Sequence, residues 1–165
     1  HNQSRRQRQM CIRDRNFPVM QKDFIISKKQ ILQGMSHGSD AFLLIAEALN
    51  YNDLADLYNL GLNEKLETLV EIHDIKNLLT INELSPTIVG VNCRNLKKME
   101  LDFSRFERFF PKLPKDSLKV AESGFKSIKK IKIVEQLGYD AILMGTSLMK
   151  SKNPGKKLEK IIKQL

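Results

Sequence analysis

The sequence predicts an α/β fold, in which parallel β-strands alternate with α-helices. Three observations favour this fold class. Short runs of β-branched and other apolar residues recur along the chain, each run is followed by a longer segment with helical spacing, and polar or glycine residues follow the later runs. The runs are continuously apolar rather than alternating, which is typical of strands covered by helices on both faces.

Each apolar run predicts a strand, because it is short and rich in residues that favour extended, packed structure. Six such runs are present, so the sequence predicts six strands. In chain order they are Pro18–Phe24, Ala41–Ile45, Thr68–Ile72, Ile88–Val91, Leu118–Ala121 and Ala141–Met144.

The segments after these runs predict helices, because their apolar residues recur at helical spacing. Asp74 is a candidate N-cap of the third helix, Asp102 or Ser104 stands near the start of the fourth, and Gly138 fits the C-cap of the fifth. In chain order the predicted helices are Lys28–Met35, Glu47–Leu60, Asp74–Ile81, Phe103–Phe110, Ser127–Leu137 and Gly155–Gln164.

Two architectures share this alternation: an open doubly wound sheet and part of an eight-unit barrel. An open sheet often carries a phosphate loop after its first strand, but no G-x-G-x-x-G or P-loop motif follows the first strand here. Instead NCRN follows the fourth strand, ESG the fifth and GTS the sixth, and barrels commonly bind phosphate after their last two strands. The sequence therefore favours a partial TIM (β/α)8 barrel over residues 16–165, with six βα units corresponding to units 3–8.

Composition excludes several other classes of protein. With 41% hydrophobic and 28% charged residues the chain is typical of a globular domain, and no apolar run approaches the ~20 residues of a membrane span. The polar N-terminus lacks the apolar segment of a secretory signal. Two cysteines, Cys11 and Cys93, are too few for a disulfide framework or a metal cluster. We expect a cytoplasmic protein without a membrane partner.

The net charge of +9 raises the alternative of a basic nucleic-acid-binding module. Residues 1–15 contribute +4 of this charge, and the other lysines lie along several predicted helices. Aromatic residues that could stack on bases are not interleaved with them. We interpret the lysines as solvated helix faces and predict no nucleic-acid partner.

Residues 1–15 differ from the rest of the chain. They show no periodicity, the composition changes abruptly at Asn16, and their string QMCIRDR is similar to translated sequencing-adapter sequence. We predict a non-native or disordered basic tail at residues 1–15, followed by an incomplete barrel domain over residues 16–165.

Two charged residues interrupt predicted buried strands. Lys22 lies in PVMQKDF, and Glu71 lies in TLVEIHD. A lysine can extend to solvent along an apolar surface, and a buried carboxylate is costly unless it is paired, so each residue could have a structural role. The alternative is an acid and a base that face one barrel mouth, in reach of one ligand.

The loop VGVNCRNL places Asn92 and Arg94 after the fourth strand with one residue between them. If the strand continues, alternation gives their side chains a similar facing. Arginine can bind a carboxylate through two hydrogen bonds, and asparagine can orient a hydroxyl or a carbonyl. In the structural alternative both side chains satisfy nearby backbone carbonyls.

Small residues follow the last two strands. In VAESGF, Glu122 precedes Ser123 and Gly124, and in ILMGTSLM, Gly145 precedes Thr146. Such residues let backbone N–H groups approach a phosphate. Two turns of this kind after consecutive terminal strands predict a phosphate site.

Two further residues, His73 and Cys93, are of types that can take part in chemistry. His73, next to Glu71, is interpreted as a packing or capping residue at the strand end. Cys93 lacks the histidine or basic setting of a reactive thiolate. We predict no metal site.

These motifs, in this order, resemble the indole-3-glycerol-phosphate synthase family, whose members are (β/α)8 barrels of tryptophan biosynthesis. The matching strings span about residues 17–150 and are PVMQKDFI, SDAFLLIAEAL, LVEIHD, VGVNCRNLKKMELDFSRFE, VAESGF and ILMGTSLM. The resemblance implies a carboxy-lyase that closes the ring of 1-(2-carboxyphenylamino)-1-deoxyribulose 5-phosphate and releases carbon dioxide and water. It implies a phosphorylated small-molecule substrate and no cofactor, and it leaves partner subunits open.

The resemblance also implies roles for the site residues. Lys22 matches a catalytic lysine that acts as general acid toward the substrate carbonyl. Glu71 matches a glutamate that transfers a proton during dehydration. Asn92 and Arg94 would contact polar groups of the substrate, and Glu122 would hold a sugar hydroxyl. The residues implied for the phosphate are Ser123, Gly124, Gly145 and Thr146.

The chain departs from the family's pattern at Gln21 and Cys93, which match non-catalytic positions. More importantly, the family's first two strands carry another catalytic lysine, a glutamate and part of the phosphate site, and nothing here resembles them. We expect an N-terminally truncated fragment that is unstable or aggregates alone and closes no ring. The alternative enzyme is a related phosphate-binding barrel such as phosphoribosylanthranilate isomerase, which would lack PVMQKDF followed by LVEIHD.

Overall fold

A computed structural model describes residues 17–95 and 100–165 and contains one six-stranded sheet in this part of the chain. The order of the strands in the sheet follows the order of the chain, β1-β2-β3-β4-β5-β6. The strands are β1 Met20–Gln21, β2 Ala41–Ile45, β3 Glu67–Ile72, β4 Ile88–Asn92, β5 Leu118–Glu122 and β6 Ala141–Leu143. Neighbours β1 and β2, β4 and β5, and β5 and β6 pair in parallel.

Helices separate the strands, which confirms the predicted alternation. The α-helices are α1 Lys28–Ser36, α2 Tyr51–Asn63, α3 Leu78–Leu84, α4 Arg105–Phe109, α5 Ile128–Leu137, α6 Thr146–Met149 and α7 Pro154–Ile162. Short 3-10 helices occupy Ala46–Ala48, Ile75–Asn77 and Phe110–Lys112. No helix among residues 17–95 and 100–165 is long and apolar enough to cross a membrane. The tail predicted at residues 1–15 lies outside the described residues.

The chain divides into two units, with the boundary between Val70 and Glu71 inside β3. In the first unit, helix α2 approaches the strands closely at Gly61. A Cβ atom added there would lie 2.5 Å from Oγ1 of Thr68 and 2.8 Å from the ring of Phe42, both of which are buried. Glycine at this position therefore permits the close packing of α2 on β2 and β3.

The second unit contains an aromatic cluster between its helices and strands. The ring of Phe103 lies edge-to-face with two other rings. Its centroid is 4.8 Å from that of Phe106 and 5.8 Å from that of Phe125. The Tyr139 hydroxyl donates a hydrogen bond to the carbonyl of Phe106 at 3.0 Å, and burial raises the pKa of this hydroxyl. This packing anchors the segment that follows β4 against the segment that follows β5.

The prediction of a first strand over Pro18–Phe24 is wrong, because β1 contains only Met20 and Gln21. After β1, the backbone forms hydrogen bonds with the side chain of Gln30 in α1. Its Nε2 donates to the carbonyl of Phe24 at 2.9 Å, and its Oε1 accepts from the N–H of Ile26 at 2.9 Å. These bonds replace a strand ladder, and Phe24 is 59% exposed. Apolar character alone therefore overstates the length of this strand.

Helix starts are the other place where the structure differs from the sequence. The predicted helix Glu47–Leu60 begins later, at Tyr51, because the Asn50 side chain accepts from N–H of Asp53 at 2.9 Å and caps it. Asp74 is an N-cap, as predicted, but it caps the 3-10 helix Ile75–Asn77 rather than an α-helix. Its Oδ1 accepts from the N–H of Lys76 at 3.0 Å.

The remaining helices agree more closely with their patterns. Gly138 ends α5 with φ +98°, as predicted for its C-cap. The fourth helix is shorter than Phe103–Phe110, and the four-residue α6 was not predicted as an element.

We predict that Gly61→Ala destabilises the protein by about 1–3 kcal/mol, because its methyl group overlaps atoms of two buried side chains. Alanine is the better helix former, so helix propensity alone would act in the opposite direction. Urea unfolding measures the difference. Gly155→Ala in α7 is the matched control, since its Cβ would meet only Asn153 Oδ1, at 3.7 Å. Equal unfolding midpoints for the two variants would contradict this packing.

Candidate active site

Glu71 is a buried carboxylate near the carboxyl end of β3. It is 2% exposed and stands between Val70 and Ile72, which are both fully buried. Its Oε1 accepts a hydrogen bond from Nδ2 of Asn92 at 3.1 Å and lies 2.6 Å from Nε2 of His73. The hydrogen bond from Asn92 and the close approach of the His73 ring offset the cost of burying this carboxylate.

Asn92 is the last residue of β4, and its amide has a defined orientation. Oδ1 accepts from the backbone N–H of Arg94 at 2.9 Å, so the other end of the amide, Nδ2, faces Glu71. Its backbone carbonyl accepts from Nη1 of Arg105 at 3.2 Å. Asn92 therefore joins the strand end to the loop and to α4.

His73 completes a closed set of contacts. Its Nδ1 lies 3.0 Å from the carbonyl oxygen of Arg94, while its Nε2 contacts Glu71. Glu71, His73, Arg94 and Asn92 thus form a continuous ring of polar contacts, which we name the β3–β4 polar ring. It links the carboxyl ends of two neighbouring strands.

A carboxylate outside the ring holds Arg105 in place. Oδ1 of Asp102 accepts from the Ser104 hydroxyl at 2.6 Å, and its Oδ2 lies 2.6 Å from Nη2 of Arg108 and 3.7 Å from Nε of Arg105. The Ser104 hydroxyl first, and then the Arg108 and Arg105 guanidinium groups, lower the pKa of Asp102. Since Arg105 bonds Asn92, this cluster supports the polar ring from the helix side.

Glu122 is a second buried carboxylate, at the end of β5. It is fully buried and stands in register with Asn92 on β4 and with Leu143 on β6. Register partners in a parallel sheet present their side chains on the same face. Asn92 and Glu122 therefore share a face, next to Glu71.

The two predicted phosphate turns lie side by side. The backbone N–H of Ser123 donates to the carbonyl of Leu143 at 3.3 Å, so the ESG turn adjoins the end of β6, where the GTS turn begins. Ser123 and Gly124 both have positive φ, +73° and +78°. A Cβ at Gly124 would also lie 2.9 Å from Sγ of Cys93, whereas a Cβ at Gly145 would meet no atom within 4 Å.

Thr146 begins the short helix α6, which a lysine of α7 holds in place. The Lys157 ammonium donates to both the carbonyl and the hydroxyl oxygen of Ser147, each at 2.8 Å.

The structure brings together two groups of predicted site residues. Glu71, Asn92 and Glu122 lie at the ends of neighbouring strands, and the two glycine-containing turns adjoin each other. This is expected for one edge of a parallel sheet.

Lys22 belongs to the first unit. It directly follows β1 and is exposed, so the prediction that it lies on the strand is wrong. It nevertheless stands at the carboxyl end of its strand, as Glu71 does of β3.

Two residues of this site were missed by sequence reasoning. His73 was interpreted as a packing or capping residue, and the signal for its contact was the Glu-x-His spacing, since residues two apart on a strand share a face. Arg105 had no signal, because its contact with Asn92 depends on how the loop and α4 fold back on β4.

Cys93 has cations nearby, contrary to the expected lack of a basic setting. Burial nevertheless raises the pKa of its thiol to about 11, and it outweighs the lowering effect of Lys130, Arg105 and Arg94. The interpretation that Cys93 is not a reactive thiolate is therefore supported, for a different reason. No group of three or more metal-ligating side chains occurs within residues 17–95 and 100–165.

Solved structures with similar folds define the fold class. The chain is similar to 3-hexulose-6-phosphate synthase from Salmonella typhimurium, with a TM-score of 0.70 and 11% identity over 89% of this chain and 74% of that one. It is also similar to orotidine 5'-monophosphate decarboxylase from Sulfolobus solfataricus, with a TM-score of 0.62 and 15% identity over 89% and 72% of the two chains. These likenesses show the fold alone, and they confirm a partial (β/α) barrel.

The sequence comparisons define the family. The family model "Indole-3-glycerol phosphate synthase" matches residues 7–161. The synthase of Aliarcobacter butzleri is 41% identical over 133 residues, which cover 81% of this chain and 51% of the relative. That of Nautilia profundicola is 40% identical over 136 residues, 82% of this chain and 53% of the relative. The chain belongs to the indole-3-glycerol phosphate synthase family, and it spans about half the length of the curated relatives it matches.

We predict that Cys93 resists alkylation in the folded chain, because its thiol stays protonated below about pH 11. The folded pKa is raised above the unfolded value of 9.0, so stability from this group is present below pH 9 and is lost as pH rises toward 11. Labelling at about pH 8 in a Cys11→Ser background, followed by mass spectrometry, measures this. The urea-unfolded chain is the control. Equal labelling rates for folded and unfolded chains would show that Cys93 is not buried.

Proposed function

We propose that this chain contributes to indole-3-glycerol phosphate synthesis. The reaction closes the ring of 1-(2-carboxyphenylamino)-1-deoxyribulose 5-phosphate and decarboxylates it, a carboxy-lyase step of tryptophan biosynthesis. One observation carries the proposal besides family membership. Glu71, Asn92 and Glu122 are buried polar groups at the carboxyl ends of three consecutive strands, where barrel enzymes place catalytic residues.

The ESG and GTS turns, which adjoin each other, bind the phosphate of the substrate. Ser123 and Gly124 follow β5, while Gly145 and Thr146 follow β6, and barrels commonly bind phosphate after their last two strands. The backbone hydrogen bond from Ser123 to Leu143 keeps the turns adjacent, and the open space beside Gly145 leaves its backbone accessible. The proposed partner is therefore a phosphorylated small molecule, and the reaction as proposed uses no cofactor.

Acid and base roles fall to Lys22 and Glu71. The Lys22 ammonium donates a proton to the substrate carbonyl oxygen while the aromatic carbon attacks the carbonyl carbon. Carbon dioxide then leaves the aromatic carbon, and the electrons of the broken bond restore the aromatic ring. Glu71 takes a proton from the carbon next to the one that bears the new hydroxyl and gives it to that hydroxyl, which leaves as water while the carbon–carbon double bond forms. Each residue stands at the carboxyl end of its own strand, which is where barrel enzymes place catalytic residues.

Three further residues, Arg94, Glu122 and Asn92, orient the substrate. Arg94 has the charge and fork geometry to bind a carboxylate, and Glu122 can accept a hydrogen bond from a sugar hydroxyl. Asn92 contacts the substrate's polar groups from a side chain that Glu71 and Arg94 already orient.

We predict that the 165-residue chain alone has no measurable ring-closing activity and is unstable or aggregates. The chain spans about half the length of its relatives, and the family's first two strands carry further catalytic and phosphate-binding groups that nothing in this sequence resembles. Gel filtration and an assay for indole-3-glycerol phosphate test both statements. Turnover by the purified chain would contradict the first, and a stable monomer would contradict the second.

A chimera tests the proposed activity directly. The part of the Aliarcobacter butzleri synthase that this chain does not match is joined to residues 17–165, and product formation is measured. We expect turnover, because the two chains are 41% identical over 133 residues and the chain belongs to the same family. Lys22→Met and Glu71→Gln should each lower kcat at least ~100-fold, since each removes a proton-transfer group.

Lys28→Met is the matched control for Lys22, because Lys28 is an exposed lysine of the same unit whose partner is Asp56 at 3.7 Å. It should leave kcat within about 2-fold, since exposed ion pairs contribute little. A folded but inactive chimera would overturn the proposed function. An active chimera in which Lys22→Met behaves like Lys28→Met would overturn the role of Lys22 alone.

A further inference from the structure

Lys157 of α7 binds both oxygen atoms of one residue in the GTS turn. Its ammonium donates to the carbonyl oxygen and to the hydroxyl oxygen of Ser147, each at 2.8 Å. Hydrogen bonds from a charged donor are among the stronger ones in proteins. The half-buried lysine therefore fixes the backbone and the side chain of Ser147 together.

The end of α6 explains why a side-chain donor serves this carbonyl. In a continuing α-helix, the N–H of Ser151 would donate to the carbonyl of Ser147, four residues earlier. Here the N–H of Ser151 donates instead to the carbonyl of Leu148 at 2.9 Å, so the helix ends in a tighter turn. The Lys157 ammonium takes the place of this backbone donor at Ser147.

The start of the same turn is closed by backbone hydrogen bonds. The N–H groups of Leu148 and Met149 both donate to the carbonyl of Gly145, each at 3.0 Å. Gly145 and Ser147 thus belong to one hydrogen-bonded stretch of chain, with Thr146 between them. A shift of Ser147 would therefore move the backbone groups that the proposed function assigns to the phosphate.

Helix α7 provides a fixed base for Lys157. Oδ1 of Asn153 accepts from the N–H of Lys156 at 3.0 Å and caps the helix, and Pro154 is its first residue. In the connection between α6 and α7, the hydroxyl of Ser151 donates to the carbonyl of Asn153 at 3.3 Å. Lys157 lies one turn into α7, so its backbone is fixed relative to the turn that it binds.

We propose that Lys157 is a positioning residue for the substrate phosphate, which keeps the GTS turn in its binding shape and adds a positive charge beside it. The proposal rests on the proposed function, which assigns the phosphate to the ESG and GTS turns. Ser147 directly follows Thr146, so a phosphate bound at Thr146 lies within the ~10 Å over which salt leaves charges largely unscreened.

A purely structural role of Lys157 would have different consequences. If the lysine only ended α6, its loss would lower stability and leave the phosphate affinity of the folded protein unchanged. If it positions the turn, its loss weakens phosphate binding in the folded protein. The phosphate takes no part in ring closure and is held equally before and during the reaction, so KM should rise while kcat stays the same.

Phosphorus NMR of the chimera described above tests the proposal, with inorganic phosphate as the probe. The Kd of phosphate is measured for the unsubstituted chimera and for Lys157→Met, after circular dichroism has shown that both are folded. We expect this Kd to rise about 5–20-fold in Lys157→Met, because two charge-assisted hydrogen bonds and a cation are lost. The KM of the substrate should rise in parallel, with kcat within about 2-fold of the unsubstituted chimera.

Lys160→Met is the matched control, because Lys160 is an exposed lysine three residues further along α7. It removes the same charge from the same helix, about 5 Å away along its axis. A general attraction for anions would therefore weaken in both variants, whereas we expect the Kd of phosphate to stay within about 2-fold in Lys160→Met. Equal increases in the two variants would overturn the proposal, as would an unchanged Kd in Lys157→Met.

Ser147→Ala tests whether the effect of Lys157 passes through Ser147. This variant loses the hydroxyl acceptor and keeps the carbonyl, so the Kd of phosphate should rise about 2–5-fold. In the double variant the Kd should match that of Lys157→Met alone, since both substitutions act on one contact. Additive effects would overturn the proposal. If Lys157→Met does not fold, Lys157→Gln, which also removes the charge, takes its place with the same expectations.

The outcomes separate this proposal from the proposed function. An active chimera whose phosphate Kd does not depend on Lys157 would overturn the role of Lys157 alone. A folded chimera that is inactive but binds phosphate through Lys157 would overturn the proposed reaction and support the role of Lys157. A folded chimera that neither turns over nor binds phosphate would overturn both.

Discussion

The burial of one carboxylate determines how this end of the sheet is organised. Glu71 is placed by β3 among fully buried apolar neighbours, where an unpaired negative charge would destabilise the fold by several kcal/mol. The structure supplies Asn92 from the next strand and His73 from the position directly after β3, and both contact one oxygen. Their own remaining groups are satisfied by the backbone of Arg94, so the strand ends and the following loop form one connected unit.

Support for this arrangement extends outward through charge and packing. Arg105 bonds the carbonyl of Asn92 and contacts Asp102, whose carboxylate also binds Ser104 and Arg108. Phe106 of α4 is at the centre of the aromatic cluster, which packs the helices of this unit together. Residues outside the β3–β4 polar ring therefore determine where its polar groups stand, as supporting residues do in many active sites.

Most of the fold was predictable from the sequence because buried parallel strands have continuously apolar sequences. Strands β2 to β6 fall where those runs lie, and Gly138 ends its helix as expected. The first strand was overestimated because the side chain of Gln30, in the helix that follows, hydrogen-bonds the backbone of Phe24 and Ile26. Side-chain bonds of this kind do not show in the hydrophobic pattern.

The site was predictable to the extent that its chemistry is unusual in a strand. Glu71 and Glu122 stand out as charges in apolar segments, and both proved buried. His73 and Arg105 did not stand out, since a polar residue after a strand and an arginine on a helix are ordinary. Their roles follow from distances that depend on the folded chain, and Lys22 remains a proposal that rests on its motif and its place after β1.

The central claim is that Glu71 is an ionised carboxylate inside the protein. Infrared difference spectroscopy at neutral pH between the chimera that contains residues 17–165 and its Glu71→Gln variant measures this directly, because ionised and protonated carboxyl groups absorb at different frequencies. The account predicts that the substitution removes the bands of a carboxylate. Loss of the carbonyl band of a protonated acid would contradict it, since the buried group would then carry no charge.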